Sequence, residues 1–128
     1  MVSGMNTALW ILQIVLAAIF LITGLTKLTQ PRRKMAAGPM KWAADVTDRQ
    51  FRIVGLLEVL GAVGLILPGV LGIAPALTAV AAVGLALTMG GAALTHVRLG
   101  ETERIAVPLL VLLVALYVAV ERFGPHSL

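Results

Sequence analysis

The chain has 128 residues, of which 59% are hydrophobic and only 12% charged, with a formal net charge of +4 and a mean hydropathy of +1.00. A soluble domain is about half apolar and about a quarter charged, so this composition excludes an ordinary water-facing surface, and its apolar content excludes disorder. The absence of cysteine excludes disulfides, thiolate metal sites and thiol nucleophiles. The solvent these numbers fit is a lipid bilayer. Within a bilayer the basic excess points to loops facing anionic lipid, not to nucleic acid.

A membrane helix needs about 20 mostly apolar residues. Four stretches come close, and they give an all-α, integral membrane four-helix bundle as a single transmembrane domain over residues 1–128. The first span covers residues 7–28, with Pro31 beyond it. It lacks a basic n-region, and its apolar run exceeds that of a signal peptide, so it reads as a retained span. Residues 29–50 form the one sizeable polar stretch, interrupted by Met35-Ala36-Ala37-Gly38-Pro39-Met40. Residues 41–50 fit either a short interfacial helix, with Met40 and Trp42 dipping into lipid, or an ordered loop with a basic face. The second span covers 51–67 and is expected to stop at Pro68-Gly69. The third covers 74–97, opened by Pro75. The fourth covers 105–122, with Pro108 in its first turn, where a missing N–H costs little.

Orientation follows from the basic residues. Lys27, Arg32, Arg33, Lys34, Lys41, Arg49, Arg52, Arg98 and Arg104 fall on one side of a four-span arrangement, and Arg122 alone falls on the other. Basic loops stay cytoplasmic, so the loop 29–50 is expected in the cytoplasm and both termini outside, in the cell membrane. Trp10 and Phe123 are expected near the outer interface and Trp42 near the inner one. Glu121 and Arg122 read as solvated interface charges.

Three spans carry a small-and-polar stripe at helical spacing. These are Gln13, Ala17, Phe20, Gly24 and Lys27 on the first, Phe51, Gly55, Glu58 and Ala62 on the second, and Met89, Ala92 and His96 on the third, beside Thr88 and Thr95. The economical bundle points these stripes at one another. The glycines of the first three spans are expected to serve helix packing. Glu58 is the most informative residue. It lies roughly 10 Å into its span at 1.5 Å per residue, and a carboxylate at that depth faces the bundle interior and needs a partner. Lys27 and His96 close their spans on the same side.

Two readings stay open for this group. Lys27 and Glu58 form a structural ion pair that fixes helix register, or with His96 they surround a small cavity that binds a polar head or relays protons. At the other end Gln13 and Tyr117 fall at comparable depth, and a hydrogen bond between them is expected. No metal site is expected, because the only histidines, His96 and His126, lie on opposite sides and no span carries a carboxylate cluster. There is no phosphate loop and no serine within a span.

The segments Gly24-Leu25-Thr26-Lys27-Leu28, Gly55-Leu56-Leu57-Glu58-Val59-Leu60-Gly61, and Met89 through His96 followed by Arg98, together with the Pro68 stop and the Pro75 start, resemble the DoxX-like family over residues 18–101. The order and spacing of these motifs carry the resemblance. It implies a four-helix membrane protein and places Lys27, Glu58 and His96 on family motif positions. It also looks toward small subunits of quinone-linked oxidation and of membrane redox complexes, and more distantly toward receptor assembly factors.

Two functions are weighed on this basis. In the first, the bundle binds a lipophilic small molecule, quinone or lipid-like, with Lys27, Glu58, His96, Gly24, Gly55 and Met89 as candidate ligand-binding residues, or docks as an accessory subunit to a membrane complex or to a second copy of itself. In the second, it is a small membrane enzyme with Glu58 as general acid or base on a hydrophobic substrate. The residues assign no cofactor with certainty, and a quinone is the candidate carrier for any electrons.

Overall fold

The computed structural model describes residues 4–38, 40–73 and 76–124. Pro39, Pro75 and His126, named above, lie outside the described residues. The elements are α1 (Gly4–Thr29), α2 (Arg32–Ala36), a 3-10 turn (Lys41–Asp45), α3 (Asp48–Leu71), α4 (Ala76–Arg98), a second 3-10 turn (Thr102–Arg104) and α5 (Ala106–Phe123). Among the described residues there is no strand. Among the described residues, four helices are long and apolar enough to cross a membrane.

Local chemistry sets the ends of α3. Thr47 and Gln50 form a capping box: the Gln50 N–H donates to Thr47 Oγ1 at 3.1 Å and the Thr47 N–H to Gln50 Oε1 at 3.0 Å. Two otherwise orphaned donors are satisfied, and the helix starts three residues before Phe51. Its far end corrects the expected stop at Pro68-Gly69, because the helix continues through Pro68 to Leu71. Proline removes one bond from the ladder but keeps its own carbonyl as an acceptor. The N–H groups of Gly72 and Ile73 both donate to that carbonyl. The true terminator is Gly72, which adopts a left-handed φ of 66°.

Residues 41–50 are not one interfacial helix. They divide into the 3-10 turn, a connection at Val46 and Thr47, and the start of α3. Arg32 holds this strap down, donating from Nε to Asp48 Oδ1 at 2.7 Å and from Nη1 to the Ala43 carbonyl at 2.9 Å. Met35, Ala43 and Phe51 form a small apolar cluster beneath it.

The long helices run up and down, each antiparallel to the neighbour it packs against. Lys27 near the end of α1 meets Glu58 in the first half of α3, and Gln13 near the start of α1 meets Leu65 near the end of α3. The expected α1 and α3 stripes are the ones buried, with Leu16 rather than Ala17 completing the first. Gly24 and Gly55 lie back to back. A Cβ on Gly24 would stand 2.8 Å from the Gly55 carbonyl oxygen, and one on Gly55 would stand 2.9 Å from that of Gly24. Such close backbone approach is how helices associate where lipid is as apolar as the side chains.

The core continues through Leu9, Phe20, Leu65, Leu85 and Val118, with alanines of α4 and α5 between them. The outer surface is the reverse of a soluble protein's: Ile22 is 66%, Leu87 73% and Leu110 63% exposed. A surface of this kind requires hydrocarbon around it.

Packing does not account for every glycine. Gly84 and Gly91 on α4 face open space, with nothing within 4 Å of a Cβ built on either. Both lie along the seam between α3 and α4, where the bundle holds its cavities.

A buried ion pair beside a cavity

Glu58 is 2% exposed, and both of its carboxylate oxygens are engaged. Lys27 Nζ lies 2.8 Å from Oε1, and Thr23 Oγ1 donates to Oε2. Helical spacing explains the convergence. Thr23 and Lys27 are four residues apart on α1, and the Gly24–Gly55 contact brings α3 close enough for the short carboxylate arm to reach both. Trp42 closes the assembly from the strap, with its ring 5.7 Å from Lys27 Nζ and 5.7 Å from the Phe51 ring. An ammonium over an indole face is held by the ring quadrupole. Trp42 is therefore turned inward over Lys27 instead of dipping into lipid as an anchor.

The pair is almost wholly buried, yet it borders open space. Lys27 and Glu58 form part of the wall of a cavity of about 520 Å³, opposite Met89, Ala92 and His96 of α4. The third stripe is thus half-buried because it faces this cavity. His96 makes its own contact, with Nδ1 3.3 Å from Glu101 Oε1, while Glu101 Oε2 is 3.3 Å from Arg104 Nε. Gly24 and Gly55 stand behind the ion pair in the helix contact and set its geometry. Arg52 donates from Nη1 to the Leu28 carbonyl at 3.0 Å and satisfies one of the last carbonyls of α1. Among the described residues, no three His, Asp or Glu side chains are placed to hold a metal ion.

The opposite end departs from expectation. Gln13 and Tyr117 do not pair. Gln13 Nε2 donates to the Leu65 carbonyl at 2.7 Å, and the Tyr117 hydroxyl donates to Met5 Sδ. The acceptor side of Gln13 is taken by Arg122, whose Nε donates to Oε1 at 2.7 Å and whose Nη1 donates to Asn6 Oδ1. Arg122 is 3% exposed and lies over the Trp10 ring, so it is no solvated interface charge. The reason is its register: it follows Ala115, Val118 and Ala119 on the buried face of α5.

Thr23, Glu101 and the inward role of Trp42 escaped sequence reasoning. Thr23 carried a usable signal, because it precedes Lys27 by four residues on the same face. Glu101 and Trp42 reach the site through turns that follow no helical period.

Spans, inverted surface and internal polar sites together define a multi-pass membrane four-helix bundle with a cavity, lined in part by polar side chains, toward its basic end. The family model described as DoxX-like matches residues 11–118, and the chain belongs to that family. Neither the curated proteins nor the solved structures yield a match.

Proposed function

We propose that this protein binds a lipophilic small molecule, quinone or lipid-like, with the molecule's polar head in the cavity beside Lys27 and Glu58, and that it serves membrane redox chemistry as a holder or accessory subunit. The observation that carries this reading is the placement of two buried opposite charges on a cavity wall. A pair that only pinned two helices need not border a cavity, and this one does. Gly91, opening onto the same space, supports the reading: a Cβ there would meet nothing within 4 Å, so helix packing does not require the glycine. The test is extraction in native-lipid discs followed by mass spectrometry of the bound lipophiles. The wild-type protein retains one species well above its share of the bulk lipid, and Gly91→Phe loses it. An identical lipid profile for both proteins overturns the proposal.

A second reading, catalysis with Glu58 as general acid or base, draws on the same placement. It requires the carboxylate to exchange Thr23 or Lys27 for substrate. Turnover of a hydrophobic substrate that survives Glu58→Gln would remove it.

The basic end faces the cytoplasm in this proposal, with both termini outside. Because the chain has no native cysteine, Glu103→Cys and Gly124→Cys report the two sides cleanly. An impermeant maleimide added to intact cells should label the second and spare the first.

A further inference from the structure

A second cavity, of about 590 Å³, lies between α3 and α4 in the opposite half of the bundle. It shares Leu57 and Thr88 with the first, so the two adjoin along one seam. Its character differs sharply. Apart from Thr88, whose hydroxyl donates to the Gly84 carbonyl of its own helix at 3.0 Å, the lining side chains are apolar. Along α4 the groove runs from Thr88 to Leu77, about 16 Å at 1.5 Å per residue. That is about half of a hydrocarbon core roughly 30 Å thick, the reach of one extended tail. Gly84 forms part of its floor and has open space above it.

We infer that the ligand is a neutral-headed amphiphile with a single long tail, its head in the cavity at Lys27 and Glu58 and its tail laid along the α3–α4 groove. This rests on the binding function proposed above and specifies the ligand class. The tail follows from the adjacency of the cavity that carries the polar side chains to an apolar groove of tail length. The neutral head follows from charge. Lys27 and Glu58 already neutralise each other, Asp45 and Arg98 at the mouth are of opposite sign, and His96 is occupied by Glu101. An ionised head would bring a further charge without a counter-charge into a low-dielectric space. Bulk lipid is as apolar as the groove, so transfer alone gives no affinity. Discrimination comes from the shape of the groove and the contacts a fitted tail makes.

The test uses 1,4-benzoquinones bearing ethyl, hexyl or decyl chains, titrated into protein in lipid nanodiscs. Binding is read by quenching of Trp42 in a Trp10→Phe background and expressed per mole of lipid, so that partitioning cancels. Affinity should rise about tenfold from ethyl to decyl as the tail's dispersion contacts accumulate. Gly84→Leu, whose Cβ would meet nothing within 4 Å, should return decyl to the ethyl value and leave ethyl unchanged. Val80→Phe, on an exposed groove position, is an independent plug with the same expectation. Equal affinity across chain lengths, or decyl binding indifferent to both plugs, overturns the tail assignment while leaving the head site intact. Decanoate displacing the decyl quinone at equal concentration overturns the neutral head. Absence of quenching by every probe overturns the binding function itself and this inference with it.

Discussion

Lys27→Met tests the ion pair most directly. The substitution keeps the length of the side chain but removes its charge, leaving a carboxylate that is 2% exposed with Thr23 as its remaining partner. At the observed 2.8 Å, the gross attraction is about 6 kcal/mol for an effective dielectric of about 20. Desolvation of both charges offsets much of that, but the variant keeps the desolvated carboxylate and loses the cation. Breaking a buried pair on one side costs about 3–5 kcal/mol. In micelles the unfolded helices also find polar partners, so the lower figure, about 3 kcal/mol, is the expected loss. Glu58→Gln should cost a similar amount by stranding the ammonium. The double variant Lys27→Met/Glu58→Gln strands neither charge and should recover most of the loss. The assay is reversible unfolding in mixed micelles, followed by circular dichroism, on all four proteins of the cycle. If the double variant equals the sum of the singles within about 0.5 kcal/mol, the two residues do not act as a unit and the reasoning fails.

Gly55→Ala should destabilise the bundle by about 1–3 kcal/mol in the same assay, because the new methyl meets Lys27 Cβ at 2.7 Å and the Gly24 carbonyl at 2.9 Å. Gly91→Ala, made into open space, should be neutral or gain up to about 1 kcal/mol from helix propensity. Arg122→Met removes the donors to Gln13 and Asn6 and should cost about 1–3 kcal/mol. Arg122→Lys should not restore stability, since one ammonium cannot reproduce the planar fork. Trp42→Ala removes the ring over Lys27 and should cost about 0.5–2 kcal/mol, while increasing the rate at which an amine reagent modifies Lys27, read by peptide mass spectrometry.

The span count and the α1 and α3 faces were legible because composition and helical periodicity are local signals, and both decide burial in a bundle. Glu58 stood out for the same reason: one carboxylate sunk in an apolar run demands an explanation. The ends of α3 were misjudged because Pro68 outweighed Gly72 as a stop and the Thr47–Gln50 capping pair went unread. Arg122 was misplaced because a charge near a span terminus reads as solvated, whereas its burial depends on Gln13 and Asn6 at the far end of the chain. Sequence spacing brought Lys27, Glu58, His96 and Met89 to one end. It could not show that the α3–α4 seam leaves cavities beside the close approaches of Gly61 to Leu85 and Gly64 to Ala81, because separation between helices is set by the whole bundle. Gly84 and Gly91 illustrate the point. By type they resemble Gly24 and Gly55, yet two carry helix contact and two open onto space.

The Lys27–Glu58 contact also bears on how the chain enters the membrane as it is synthesised. A lone carboxylate near the middle of a span opposes insertion by about 2.5–3.5 kcal/mol on translocation scales. Among the described helices, α1 precedes the span that carries it, and α1 bears its neutralising partner. Alone, α3 bears that penalty in full, whereas beside α1 it arrives with its charge already matched. Pairing of α1 with α3 during synthesis would therefore ease insertion, and Lys27→Met should lower the inserted fraction of α3.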